Sequence, residues 1–322
     1  MLTAEVLRLD PKSAVEKIAQ TLRRQVMEDL RRRGAVVGVS GGVDSAVVAA
    51  LCARALGANR VLALLMPERD SSAESAVLGR EVAEKSGIPV VVEDLSAALQ
   101  AAGCYARQEA AIRQVFPAYG EGWRCKLTLP SLLEGERLNV SRLTVQDPAG
   151  ERHSSRMPAA AYLALVAATN LKQRLRKTIE YTHADRLQYA VAGTPNRLEY
   201  DQGFFVKQGD GAADVKPIAH LYKTQVYQLA EFLGVPAEVR SRPPTTDTYS
   251  MEQTQEEFYF ALPWDRMDLC LWAHDHSVTP ADAAEPLRLS PEQVSRVYRD
   301  IEAKRRTTRY LHLPPLMIEE PG

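Results

Sequence analysis

The chain lacks paired cysteines, long apolar runs and any excess of charge. Its four cysteines, Cys52, Cys104, Cys125 and Cys270, are widely spaced and form no Cys-x-x-Cys pair, which argues against sulfur-transfer chemistry and a disulfide framework. No apolar stretch reaches the roughly 18 residues that a bilayer span requires. Met1–Lys12 has neither the basic flank nor the apolar centre of a secretion signal, so a cytoplasmic protein without membrane contact is expected. A net charge of −1 with 25% charged residues provides no global basic field, which disfavours a nucleic-acid partner. Glycine and proline are dispersed rather than gathered into a linker, although 322 residues would by length alone suggest about two domains.

What is present is most concentrated at Val36–Ser45, which reads Val-Val-Gly-Val-Ser-Gly-Gly-Val-Asp-Ser. A short apolar strand runs into two adjacent glycines, an Asp-Ser pair and an Ala/Val/Leu helix. Glycines at such a junction let the backbone approach a ligand, and the unpaired N–H groups of the first helical turn point at anions. Gly38, Val39, Ser40, Gly41, Gly42, Val43, Asp44 and Ser45 are therefore expected to bind ATP. The backbone nest takes pyrophosphate, Ser40 offers a hydroxyl, and Asp44 is placed to hold Mg2+ rather than phosphate. No Gly-Lys-Ser/Thr follows the glycines, which disfavours kinase or GTPase chemistry at the terminal phosphate. Ser-Gly-Gly-Val-Asp-Ser instead resembles the pyrophosphate loop of the ATP pyrophosphatases. That resemblance implies cleavage between the α and β phosphates and transfer of AMP to an oxygen.

Apolar periodicity alternates along the chain. Helices are expected over Ser13–Arg32, Asp44–Leu56, Glu74–Ser86 and Leu95–Phe116, and strands over Ala35–Val39, Arg60–Leu65 and Pro89–Glu93. A long helix over Ala160–Arg186 and a strand over Leu187–Ala192 resume the pattern. This order predicts an α/β fold, a parallel sheet flanked by helices on both faces, Rossmann-like in outline. Pro117–Pro158 interrupts the rhythm and reads as an inserted segment, with Leu138–Gln146 and Glu151–Met157 expected to form a hairpin. The expected division is a main domain over 1–262, with the insertion at about 117–158, and a helical C-terminal extension over 263–322.

The strand ending at Ala192 runs into Gly193-Thr194-Pro195-Asn196-Arg197-Leu198-Glu199. Ligands of open parallel sheets lie beyond the carboxyl ends of the strands, so Glu199 and Asp44 can share one Mg2+ there; the plainer reading of Glu199 is an acid near a helix N-terminus. A glycine-rich loop follows over Gly203–Asp214, where Phe204 and Phe205 stand beside Lys207, Asp210 and Asp214, a composition suited to gripping a polar ligand with an aromatic ring.

With these blocks come Asn170-Leu171-Lys172-Gln173-Arg174-Leu175-Arg176, Leu221-Tyr222-Lys223-Thr224-Gln225, Pro243-Pro244-Thr245-Thr246-Asp247 and Lys304-Arg305-Arg306. Their order and spacing resemble the NAD synthetases, over most of the chain from Gly38 to Arg306 apart from the insertion. The resemblance implies an adenine nucleotide alpha hydrolase-like fold and a ligase. Such an enzyme adenylates the carboxylate of deamido-NAD, after which ammonia displaces AMP. It assigns Asp44 and Glu199 to magnesium. Thr194, Lys223 and Thr245 join the ATP site, and Arg174, Lys207, Asp214 and Lys304 bind deamido-NAD. Lys223 is expected to offset charge on the leaving pyrophosphate, and Asp210 to position ammonia or take its proton. Ala303 and Pro195 depart from the family pattern. The residues before the first strand are too few for an amidase domain, which implies free ammonia or a separate ammonia-supplying subunit, and the family's habit implies a homodimer. Two alternatives stand beside this reading: an amide ligase acting on another carboxylic acid, and a nucleic-acid-binding or tRNA-modifying protein. The second rests on the two helices expected around Thr279–Arg309 and the basic run at Lys304.

Overall fold

The computed structural model describes residues 2–129, 141–245, 248–260 and 262–319. In chain order the elements are α1 (Pro11–Arg24), β1 (Ala35–Gly38), α2 (Val43–Leu56), β2 (Val61–Leu65), α3 (Ala73–Lys85), β3 (Val90–Val92), α4 (Ser96–Ala101), α5 (Cys104–Arg113) and β4 (Arg124–Thr128). There follow β5 (Arg142–Gln146), β6 (Arg152–Arg156), α6 (Ala159–Leu187), β7 (Ala190–Ala192), α7 (Arg197–Gln202), α8 (Lys223–Phe232) and α9 (Ala237–Ser241). The C-terminal helices are α10 (Trp264–Asp275), α11 (Pro280–Leu287) and α12 (Pro291–His312).

Four parallel strands lie in the order β3-β2-β1-β7, the α/β arrangement expected from the alternating pattern. Val36 and Val37 of β1 are fully buried because helices cover both faces, so the strand reads as continuously apolar instead of alternating. α2 is apolar all round, with Ala46, Val47, Val48, Ala49, Leu51 and Cys52 fully buried, because it lies between β1 and β2 on one side and α1 and α8 on the other. All four cysteines are buried free thiols. Among the described residues no helix is long and apolar enough to cross a membrane.

Two expected helices are interrupted. The stretch Leu95–Phe116 splits into α4 and α5 at Gly103, whose φ of +71° no helix interior adopts. The one predicted over Ser13–Arg32 leaves α-geometry after Arg24, continues as a π turn to Asp29 and ends before Arg31, which has φ +52°. The expected hairpin is present as β5 paired antiparallel with β6; residues 138–140 of its first strand lie outside the described residues. A third strand, β4, was not foreseen. It pairs with β5 and buries Cys125 and Leu127 while Arg124, Lys126 and Thr128 face outward. Its free edge is covered by the segment after Ser250: the Cys125 N–H donates to Ser250 Oγ at 2.9 Å, and the Met251 N–H donates to the Cys125 carbonyl at 3.1 Å.

α10, α11 and α12 share one apolar cluster with Leu2, Leu7, Leu198 and Tyr222, so the C-terminal helices are packed onto α7 and the start of α8. A buried ion cluster ties the walls of the fold together. The Lys172 ammonium on α6, 1% exposed, donates to Glu68 at 3.0 Å, to Asp70 at 2.6 Å and to the Thr248 carbonyl at 3.1 Å, while Tyr105 of α5 donates to Glu68 at 2.9 Å. Replacing Lys172 by Met would leave two carboxylates buried without their cation, a loss of about 3–5 kcal/mol. Chemical denaturation of Lys172→Met should show it; an unchanged unfolding midpoint would mean the cluster contributes nothing to stability.

Candidate active site

The Gly38–Ser45 loop closes the end of β1. Gly41 has φ +77°, and a Cβ there would stand 2.6 Å from the Ser75 carbonyl, so glycine is required on both counts. Serines knit the turn: the Ser40 N–H donates to Ser45 Oγ at 3.2 Å, and that hydroxyl donates to the Gly42 carbonyl at 3.0 Å. α2 starts at Val43 with no side-chain cap, which leaves the N–H groups of its first turn for a ligand.

Three charged side chains from three elements meet beside this loop. Lys223, at the start of α8 and 2% exposed, donates a hydrogen bond to Asp44 in the first turn of α2. Asn196 donates to the other Asp44 oxygen at 3.0 Å. The same Asn196 caps α7 reciprocally with Glu199: the Glu199 N–H donates to Asn196 Oδ1 at 3.1 Å and the Asn196 N–H to Glu199 Oε2 at 3.2 Å. Gln255 donates to Glu199 Oε1 at 2.8 Å. Glu199 thus has its carboxylate enclosed by protein, and burial first, then the neighbouring Asp44, push its pKa up to about 7. Burial acts to lower Lys223, yet Asp44 and Glu199 outweigh it and hold the ammonium above its ordinary range. Two carboxylates with oxygen donors only and one lysine between them form a donor set suited to a hard divalent cation.

These groups open onto a cavity of about 730 Å3, ample for a nucleotide. Thr194, Thr245 and Asp210 line it with the loop; Thr246 and Asp247 lie outside the described residues. Asp210 accepts from the Val206 N–H at 2.7 Å, and burial raises its pKa. Gly211 beside it admits no Cβ, because the Phe205 ring would lie 2.2 Å away. Leu129 and Met157, flanking the antiparallel sheet, form part of the wall, with Phe204 stacked on Tyr259 at 4.8 Å and Phe258 nearby.

The four residues expected to bind deamido-NAD are not gathered in this lining. Arg174 donates to the Lys207 carbonyl at 3.3 Å, and Lys207 to the carbonyls of Tyr310 and Leu313 at 2.8 and 3.3 Å. Asp214 accepts from the Val191 N–H at 2.8 Å and from the Tyr181 hydroxyl at 3.3 Å. Lys304 donates to the Tyr259 carbonyl at 2.6 Å and pairs with Asp300 at 2.8 Å. Arg305 is likewise turned inward, to Asp201 at 2.8 Å and Asp275 at 2.6 Å. The basic run of α12 therefore directs its first two charges to carboxylates, an arrangement unlike a phosphate-backbone reader.

Several residues were not singled out as site residues from sequence: Asn196, which holds Asp44 and Glu199, and the lining residues Gln255, Arg176, Lys177 and Arg242. Asn196 carried a signal of its own, since Asn-x-x-Glu before a helix is a capping box, and Arg176 stood within the Asn170–Arg176 block.

The sequence profile of the NAD synthase family matches residues 14–115 and 137–309. The chain is 61% identical over 317 residues to an NH(3)-dependent NAD(+) synthetase of Mesorhizobium japonicum, covering 98% of this chain and 99% of that one. Among solved structures it resembles an NMN synthetase from Francisella tularensis, with a TM-score of 0.65 and 21% identity over 96% of this chain and 99% of the other. It also resembles an NH3-dependent NAD synthetase from Campylobacter jejuni, with a TM-score of 0.61 and 20% identity over 97% and 100%. At those identities the two structures bear on the fold alone.

Because Glu199 holds its proton up to about pH 7 when folded, against an ordinary value of 4.5, the folded state binds more protons between those values. Its contribution to stability therefore falls as pH rises through that window. In metal-free buffer Glu199→Gln should melt above wild type at pH 8, with the gap shrinking toward pH 5. A gap independent of pH would show that Glu199 ionises normally.

Proposed function

As the chain belongs to the NAD synthase family, we propose that it is an ammonia-dependent ligase that converts deamido-NAD to NAD at the expense of ATP. The observation that carries the reading is the Asp44–Glu199–Lys223 cluster set beside the Gly41–Gly42 turn at the edge of a nucleotide-sized cavity.

The chemistry has two transfers. A carboxylate oxygen of deamido-NAD attacks the α-phosphorus of ATP and pyrophosphate leaves, giving an acyl adenylate. Ammonia then attacks the acyl carbon, AMP leaves, and one proton is released. No protein nucleophile is needed, because the adenylate is already activated. The first step brings two anions together, so the site must offset charge in the transition state. Mg2+, held by Asp44 and Glu199, would supply Lewis-acid stabilisation of the phosphate oxygens. Ionisable side chains lining the cavity support a cation there: Asp44, Glu180, Glu199 and Asp210 match Arg176, Lys177, Lys223 and Arg242 in number. A polyanion entering a balanced cavity needs a counter-charge of its own.

Lys223 lies within reach of the same phosphates, at a helix start fixed by Asp268, which accepts from the Thr224 N–H at 2.6 Å. Gly38–Ser45, Thr194 and Thr245 hold ATP. Asp210, buried and with its pKa raised, would orient ammonia or accept its proton. Arg174, Lys207, Asp214 and Lys304 serve deamido-NAD from outside the cavity lining, the first two joined through the Lys207 carbonyl. The same reading takes the enzyme as a cytoplasmic homodimer supplied with free ammonia or by a separate subunit, and takes the C-terminal helices over 263–322 as an extension completing the acid site.

Purified protein with ATP, magnesium, ammonium and deamido-NAD should form NAD, AMP and pyrophosphate in equal amounts, with glutamine failing to replace ammonium. Stoichiometric ADP, or turnover only with a different carboxylic acid, would overturn the assignment. Asp44→Asn should lower kcat by about a hundredfold or more with the fold retained; a near-normal rate at saturating magnesium would remove Asp44 from the site.

A further inference from the structure

Of the cations lining the cavity, Lys223 is already committed: it is bonded to Asp44 and stands in the field of Glu199. Lys177 is paired with Glu180 at 2.5 Å, both largely buried on α6. Arg176, though it lines the cavity, donates to the Met66 carbonyl at 3.5 Å and to Ser71 Oγ at 3.4 Å, and is thereby engaged with the loop after β2 rather than with the glycine turn.

Arg242 differs. Among the described residues its ion-pair partner is Glu74, 3.7 Å away and two-thirds exposed, a pair that water screens. Its firm contact is neutral, an Nη1 donation to Ser75 Oγ at 3.1 Å. Ser75 is the residue against whose carbonyl Gly41 packs so closely that no Cβ fits. The guanidinium is thus one residue removed from the glycine turn, 16% exposed, with most of its charge unmatched. Its backbone is held as well: Arg242 has φ −66° and ψ 127°, the extended conformation that a following proline imposes, and Pro243-Pro244 then line the cavity.

We infer that Arg242 is a further catalytic residue, whose guanidinium grips the β and γ phosphates of ATP and stabilises the pyrophosphate as it leaves. A planar fork of donors suits paired phosphate oxygens better than an ammonium does. The bond that breaks joins the α-phosphorus to the bridging oxygen, and the electron pair departs with the pyrophosphate, where Arg242 meets the growing charge. This inference rests on the reading that ATP is cleaved between its α and β phosphates.

The test is calorimetric binding of inorganic pyrophosphate, with magnesium, to wild type, Arg242→Ala, Arg242→Lys and Arg80→Ala, the last removing an exposed cation from α3 as a control for lost charge. The dissociation constant should rise about tenfold or more in Arg242→Ala, be partly restored in Arg242→Lys and stay unchanged in Arg80→Ala. In turnover, Arg242→Ala should lose about a hundredfold in kcat while KM for deamido-NAD holds. Pyrophosphate binding within twofold of wild type in Arg242→Ala, with wild type making NAD and AMP, would overturn the role of Arg242 alone. Weakened binding in the variant, with a wild type that makes no NAD, would sink the choice of acid and leave Arg242 in place.

Discussion

Two carboxylates enclosed beside one another repel, and the arrangement around Asp44 and Glu199 is built on that repulsion. Asn196 touches both, through its amide to Asp44 and through the reciprocal cap to Glu199. Lys223 provides the positive charge, and Gln255 gives Glu199 a neutral donor. Even so Glu199 is pushed toward neutrality, by its burial first and by the neighbouring Asp44 second, against the pull of Lys223. The repulsion between the two acids is an electrostatic tension that a cation would relieve.

That tension is tolerable only because the walls cannot yield. α8 begins at Lys223, and Asp268 from α10 accepts from both the N–H and the hydroxyl of Thr224, so the ammonium is anchored at its backbone. The Lys172 cluster does the same for the opposite wall, joining the loop after β2, α5, α6 and the segment at Thr248 through one buried charge. Between these anchors residues 242–245 and 248–255 contribute to the cavity wall. They are fixed at Arg242 to Ser75, at Thr248 to Lys172, at Ser250 to β4 and at Gln255 to Glu199. The antiparallel sheet is therefore a structural part of the cavity wall.

The parallel sheet and its helices were legible because each strand is short, apolar and buried on both faces, and each helix has the matching period. β4 was not, though Arg124-Cys125-Lys126-Leu127-Thr128 alternates correctly, because glycine and proline on either side suggested a loop and its partners are nearly 20 residues ahead in β5 or 125 residues ahead at Ser250. The break at Gly103 was hidden by apolar spacing that suits one helix or two. Within the site, the glycine turn after β1 and the cap that holds Glu199 could be read from local pattern. The partners of Lys172 and Arg242 could not: one lysine of a basic run in a helix and an arginine before prolines do not announce which residues they meet, and those lie about 70 to 170 positions away.

The distribution of charge across the cavity explains why those two basic residues differ in kind. Lys172 faces Glu68 and Asp70 with almost no exposure, and Arg69 and Tyr105 complete its surroundings, so its charge is consumed by the fold. Removing it would expose the protein to uncompensated burial whether or not a ligand were present. Among the described residues Arg242 has as its ion-pair partner a distant, solvated acid, so the folded protein gains little from that pairing. A cation that the fold does not need, held in place by a proline pair and aimed into a cavity, is available to a guest. By the same standard Lys223 stands between the two: it is bound to Asp44, and would become available to a guest if another positive charge took its place beside the acids.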